Sequence, residues 1–139
     1  MRETVYRMPT FVSADHFYAV MQAVFARLTE MPAQIDSFTT SNLVIRLTFT
    51  DPDAEVLVDG RQPPLEVFFG PRPGKANLEF AMPADLLHRL WLGKESTSAA
   101  VFGGKIGITG NIMKAVPLLD LFRAAEAVYP DIAAQHDLA

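Results

Sequence analysis

The sequence predicts an α+β fold, a five-stranded, mostly antiparallel sheet covered on one face by helices. Three observations lead there. Four runs between Leu43 and Met82 alternate apolar and polar residues with a period of two and are separated by short turns. Apolar residues recur at helical spacing before that block and again after it. The 139 residues contain no cysteine, so a hydrophobic core must hold the fold, and a chain of this size buries roughly 68–70% of the surface its unfolded form exposes. One domain over residues 1–139, with its core in 13–129, is the expected organisation.

The elements follow in order. Ser13 suits a helix N-cap and Asp15 its first turn; Phe17, Val20, Met21, Val24, Phe25 and Leu28 then recur at helical spacing until Met31 meets Pro32. The polar face of this helix carries Gln22, Arg27 and Glu30 without a Lys and Arg excess, which marks the apolar stripe as core-facing. Leu43, Ile45, Leu47 and Phe49 alternate with Val44, Arg46, Thr48 and Thr50 in a strand with one buried face. Asp51-Pro52-Asp53 turns into a short strand at Glu55 to Val58, and Asp59-Gly60 turns again. Leu65, Val67 and Phe69 make a third strand, and Leu78, Phe80 and Met82 a fourth, after Pro71-Arg72-Pro73-Gly74. Four strands joined this way read as an antiparallel meander with one wet face.

Pro83 fits a first helical position, and Leu86, Leu87, Leu90 and Trp91 form the inner stripe of a short helix that Gly93 ends. A polar loop, Lys94 to Ser98, follows. Lys105 to Thr109 reads as the fifth strand, with Ile106 and Ile108 inward and Gly107 leaving the other side bare. Ile112 to Tyr129 is the last helical pattern, stopped by Pro130; Pro117 requires either a start near Val116 or a kink.

Composition narrows the function. Twelve Lys and Arg against 16 Asp and Glu give a net charge of −4, so nucleic acid and anionic membranes are repelled on average. No apolar run approaches the roughly 18 residues of a membrane span, and Met1 to Thr10 lacks the apolar core of a secretory signal. His16, His88 and His136 are scattered, without the i, i+4 spacing of a helical zinc site. No G-x-S-x-G elbow is present. Gly103 to Gly110 has neither P-loop nor dinucleotide-fingerprint spacing and reads as a strand between tight turns. Asp85 and His88 share a helix face and are the lone pair that a carboxylate-oriented base could use. Apolar supply dominates instead: Phe17, Phe25, Phe49, Phe69, Phe80, Trp91, Phe102 and Phe122 join Met21, Met82 and Met113 on inner faces. Either these fill a core or they also enclose an apolar cavity.

A set of motifs bears on that choice. Phe80-x-Met82-Pro83-Ala84-Asp85-Leu86-Leu87 is followed by Leu92-Gly93-Lys94, by Ala100-Val101-Phe102-Gly103-Gly104-Lys105-Ile106-x-Ile108-x-Gly110-Asn111, and by Leu118-Leu119-x-Leu121-Phe122. As an ordered set this resembles the sterol carrier protein type-2 domain family, and the element order matches from about Ser13 to Tyr129. The resemblance implies helices and sheet enclosing an apolar tunnel for sterols, fatty acids or acyl-CoA, used for binding or transfer without catalysis, cofactor or metal. Carried over by position, the tunnel wall would draw on Leu86, Leu90, Trp91, Phe102, Ile106, Ile108, Met113, Val116, Leu119 and Phe122. Peroxisomal members end in a Ser-Lys-Leu-type address, whereas this chain ends His136-Asp137-Leu138-Ala139, so a cytoplasmic protein is expected.

The expected partner is a hydrophobic small molecule or lipid, with no nucleic acid and no stable membrane insertion. The alternative is an accessory or dimerisation module, including a homodimer, with a filled core; Phe68, expected on the outer face of the third strand, motivates it. Glycine, proline and polar residues interrupt both helix ends near Gly93 and Pro117. They place the mouth of any cavity there, with Asn111 to Val116 as the segment that moves.

Overall fold

The computed structural model describes residues 10–138; Met1 to Pro9, most of the segment read above for a secretory signal, lies outside them. The elements run α1 (Ala14–Thr29), α2 (Pro32–Thr39), β1 (Leu43–Thr50), β2 (Ala54–Gly60), β3 (Glu66–Phe69), β4 (Leu78–Pro83), α3 (Ala84–Trp91), α4 (Thr97–Phe102), β5 (Gly107–Gly110), a 3-10 turn (Ile112–Ala115) and α5 (Leu118–Gln135). The five strands form one sheet in the order β3-β2-β1-β4-β5.

Strand pairing corrects the meander. β1–β2, β2–β3 and β4–β5 are antiparallel, but β4 lies parallel to β1 on the side away from β2. The chain therefore crosses the sheet between Gly70 and Asn77, and polar residues of the open face hold the crossing. Arg46 donates from its guanidinium to the carbonyls of Arg72 and Gly74, both at 2.9 Å. Glu55 accepts from the Arg72 amide at 3.2 Å. Asn77 exchanges two 2.8 Å hydrogen bonds with the backbone of Val44. The Arg72 guanidinium lies 3.8 Å over the ring of Phe68. Phe68 is thus half-buried beneath a cation and is not a free aromatic patch.

On the other face, Ile45, Phe49, Val56, Val58 and Leu78 are buried beneath helices. α1 packs Phe17 edge-on against Phe11 and, at 4.7 Å between centroids, against Phe49 of β1. Ser13 caps α1 as expected, accepting from the His16 amide at 3.1 Å. Pro32, which marks the end of α1 in sequence, also opens α2, whose Ile35 and Phe38 are fully buried. Phe38 presses on Gly60: a Cβ there would sit 2.6 Å from both the Phe38 ring and its carbonyl oxygen.

Two expectations about the C-terminal half change. A short helix, α4, capped by the Ser96 hydroxyl accepting from the Ala99 amide at 3.2 Å, begins at Thr97, inside the loop read as Lys94 to Ser98. The expected single helix from Ile112 divides into the 3-10 turn and α5, with Pro117 as the N-cap of α5. α5 then passes through Pro130 to Gln135. Proline removes one backbone hydrogen bond there, but Ile132 and Ala133 beyond it are buried in the core, and their packing offsets the loss.

Candidate functional site

Leu47 of β1 faces Phe80 of β4, and Phe80 faces Ile108 of β5, so the three side chains form a row across the helix-side face of the sheet. Unlike Ile45, Phe49 and Leu78 on the same face, they are only half-buried. The helices leave this row uncovered. Above it the structure contains a cavity of about 490 Å³, within the roughly 300–1,000 Å³ of small-molecule sites. Ile112, Ala115 and Val116 of the 3-10 segment and Leu118, Leu119 and Phe122 of α5 face the row. Thr97 and Val101 of α4 and Ile106 complete the lining, and Arg123 and Glu126 of α5 supply its charge.

The local sequence explains this geometry. The first half of α5 carries two apolar stripes: Leu121, Ala124, Ala125 and Val128 are buried in the core, while Leu118, Leu119 and Phe122 turn to the cavity. The Asn111 side chain caps the 3-10 turn by accepting from the Met113 amide at 3.0 Å, which sets Ile112, Ala115 and Val116 over the strands. Glu95 fastens the opposite side. It accepts from Arg89 Nε of α3 at 2.9 Å and from Lys105 ahead of β5. Lys105 and Arg89 together hold its carboxyl below the usual carboxylate range.

Of the residues expected in the wall, Ile106, Ile108, Val116, Leu119 and Phe122 are brought together around the cavity. Leu86, Leu90 and Trp91 of α3 are instead buried in the main core. Trp91 stands one ring behind the cavity, 6.0 Å from the Phe122 centroid and 5.3 Å from that of Tyr129. Phe102 and Met113 are strongly exposed and do not line it. Sequence reasoning did not assign Leu47, Phe80, Ile112, Ala115 and Leu118 to the wall, although the alternation of β1 and β4 had turned the first two inward. The 3-10 turn and α4 line the cavity, whereas the end of α3 does not.

The Asp85–His88 pair does not assemble as a carboxylate-oriented base at this site. Asp85 accepts from Thr10 and from Arg89. His88 is buried, its Nδ1 2.6 Å from the Tyr129 hydroxyl, and neither residue lines the cavity. Burial pushes the Tyr129 phenol well above its ordinary range, so it stays neutral, as its place in the core requires. A second, shallower cavity of about 320 Å³ lies on the open face of the sheet, among Thr48, Glu79, Ala81, Gly107 and Thr109. Among the described residues no group of His, Asp and Glu is arranged to hold a metal ion, and no helix is long and apolar enough to cross a membrane.

Comparison with known proteins decides the lineage. The profile of the SCP-2 sterol transfer family matches residues 23–123, most of the chain and both sides of the cavity. The chain belongs to the SCP-2 sterol transfer family. Solved structures agree in fold. Sterol carrier protein 2 from Yarrowia lipolytica, in its apo form, superposes with a TM-score of 0.61 at 18% identity, covering 86% of this chain and 96% of that one. The sterol carrier protein domain 2 of Helicoverpa armigera gives a TM-score of 0.62 at 19% identity, with 90% and 96% covered. A UbiJ-SCP2 ubiquinone synthesis protein gives 0.50 at 17% identity, with 69% and 76% covered. No curated protein matches the sequence. At these identities the solved structures speak for the fold, and the SCP-2 profile for the family.

Proposed function

We propose that the protein binds an apolar or amphipathic lipid in the cavity between the Leu47–Phe80–Ile108 row and the 3-10 turn with α5, and carries it without chemical change. One observation supports this most: the Leu47–Phe80–Ile108 row on the inner face of the sheet is only half-buried and lies beneath Leu118, Leu119 and Phe122 of α5, with a cavity of about 490 Å³ between them. Such surfaces facing one another across a gap gain free energy when an apolar molecule replaces water between them. Each methylene buried contributes about 0.8 kcal/mol, so an acyl chain of some ten carbons gains roughly 8 kcal/mol before association costs are subtracted. SCP-2 family membership and the sterol carrier neighbours support the same reading.

Fatty acids, sterols and acyl-CoA are the candidate ligand classes, and a cytoplasmic location suits a carrier among them. Entry between the 3-10 turn and α4 would loosen Asn111 to Val116, which hydrogen exchange with and without ligand would register there. Native mass spectrometry of gently purified protein, with titration of a fluorescent fatty acid, tests the function. The expected result is a saturable one-to-one complex; no copurified lipid and no saturable binding across fatty acids, sterols and acyl-CoA would overturn it. The second reading, an accessory module with no ligand of its own, draws on the UbiJ-SCP2 neighbour and on the apolar side chains exposed around the cavity. It predicts a partner-dependent assembly in which the cavity stays empty.

A further inference from the structure

The lining of the cavity is apolar except for Thr97, Arg123 and Glu126. Arg123 and Glu126 stand about one turn apart on α5, on the side that also turns Leu118, Leu119 and Phe122 to the cavity. At a rise of 1.5 Å per residue, the lining stretch from Leu118 to Glu126 runs about 12 Å along the helix. Its charge is gathered at the C-terminal end, and apolar side chains make up the rest.

Neither charge is engaged elsewhere. Among the described residues Arg46, Arg61, Arg89 and Lys105 all hold carboxylates, and Asp120 in the first turn of α5 accepts from Ser37 at 2.8 Å. The Arg123 and Glu126 side chains have no hydrogen bond or ion pair, although opposite charges three residues apart on a helix are near enough to make one. Arg123 is exposed and Glu126 half-buried, so the guanidinium is hydrated and needs no partner within the fold. Its five donors are open to a group that enters the cavity.

A lipid in such a site is sorted by its head. Its chain gains from burial along Leu118, Leu119 and Phe122 whatever head it carries. A carboxylate accepts two parallel hydrogen bonds from a guanidinium, a geometry that a single hydroxyl does not match. A neutral head leaves Arg123 in water, with neither gain nor loss. Glu126 sets an upper limit on charge: Arg123 offsets its repulsion of one carboxylate, whereas the several phosphate charges of acyl-CoA meet that repulsion.

We propose that the cavity selects a free fatty acid over a neutral sterol or alcohol and over acyl-CoA, with the carboxylate on Arg123 and the chain running back along α5 toward the 3-10 turn. Arg123 and Glu126 are then specificity-determining residues of opposite effect. The proposal rests on the lipid-binding reading and names the ligand within it.

Calorimetric titration with dodecanoate, dodecanol and dodecanoyl-CoA tests it, because the three share one chain and differ in the head. The wild-type protein is expected to bind dodecanoate about tenfold more tightly than dodecanol at low salt, with a smaller gap at high salt. Arg123→Gln closes the gap by weakening dodecanoate about tenfold, with dodecanol within about twofold of wild type. Glu126→Gln keeps the preference for dodecanoate over dodecanol and brings dodecanoyl-CoA about threefold or more nearer to dodecanoate. Both sites lie outside the buried core, and thermal melts confirm that the variants fold. Equal wild-type affinity for the acid and the alcohol would overturn the selection and leave the cavity's function standing. So would an Arg123→Gln protein that keeps the preference, or one that loses acid and alcohol alike. An unchanged ratio of dodecanoyl-CoA to dodecanoate in Glu126→Gln would overturn the part given to Glu126. No binding of any of the three would overturn the lipid-binding reading and this proposal with it.

Discussion

Replacing Ile108 by Asn places an amide at the end of the apolar row on β5. In the free protein Ile108 is half-buried beside an open cavity. The new amide keeps much of its water, and the cost to folding is about 1–2 kcal/mol from lost apolar contact and weaker strand propensity. A bound lipid removes that water. An amide desolvated without a partner costs about 1–3 kcal/mol, and the loss of one or two methylene-sized contacts with the ligand adds about 0.8 kcal/mol each. The combined loss is about 2–5 kcal/mol, roughly a 20- to 2,000-fold rise in Kd. The assay is built into the chain: Trp91 is its one tryptophan, with its ring 6.0 Å from that of Phe122 on the cavity wall, so its emission reports on ligand. Titration with a fatty acid, followed by Trp91 emission and by displacement of a fluorescent analogue, gives the affinity, and a thermal melt gives the folding cost. Val12→Asn, exposed and away from the cavity, is the control and should leave Kd unchanged. A folded Ile108→Asn protein whose Kd stays within about threefold of wild type would refute the placement of ligand over this row.

Other substitutions probe the frame around the site. Gly60→Ala brings a methyl group 2.6 Å from the buried Phe38 ring and its carbonyl oxygen, and should lower unfolding free energy by about 1–3 kcal/mol in a denaturant titration; an unchanged midpoint would show that α2 yields freely. Tyr129→Phe removes the hydroxyl 2.6 Å from His88 Nδ1 in the core, with an expected loss of about 1–3 kcal/mol and no change in lipid affinity. Arg61 hydrogen-bonds the Asp59 carboxylate and holds it below its ordinary value of 3.8. A lowered carboxylate stabilises the fold at pH values above that ordinary value and loses the contribution as pH falls through the lowered one. Asp59→Asn should therefore flatten the stability profile below about pH 4, modestly because Arg61 is largely in solvent; identical acid profiles for the two proteins would contradict this.

How far the sequence could be read depended on what each pattern encodes. Period-two alternation assigns faces, and it placed Leu47, Phe80 and Ile108 inward, in agreement with the register. It does not name a strand's neighbour. The parallel pairing of β4 with β1 rests on Arg46, Asn77 and Arg72 meeting across the open face, contacts between residues distant in the chain. α4 spans 6 residues, too short for helical periodicity to stand out, and at α2 Pro32 looked like a stop where it also served as a start. The site suffered from a related ambiguity. An apolar stripe announces that a face turns inward, but not whether it meets core or cavity. Leu86, Leu90 and Trp91 of α3 met core, while the second stripe of α5 met open space. Phe102 ends the six-residue α4 and Met113 sits in the four-residue 3-10 turn, segments too short for a period to tell inside from outside.

Photolabelling tests the central claim most directly. A fatty acid carrying a photoreactive group on its chain is bound to the full-length protein, activated, and located by peptide mass spectrometry. The account predicts saturable one-to-one labelling, competed by unlabelled fatty acid, on the peptides that carry Ile106, Ile108, Val116, Leu119 and Phe122. Absence of saturable labelling, or label confined to the open-face groove of Thr48, Glu79 and Thr109, would contradict it.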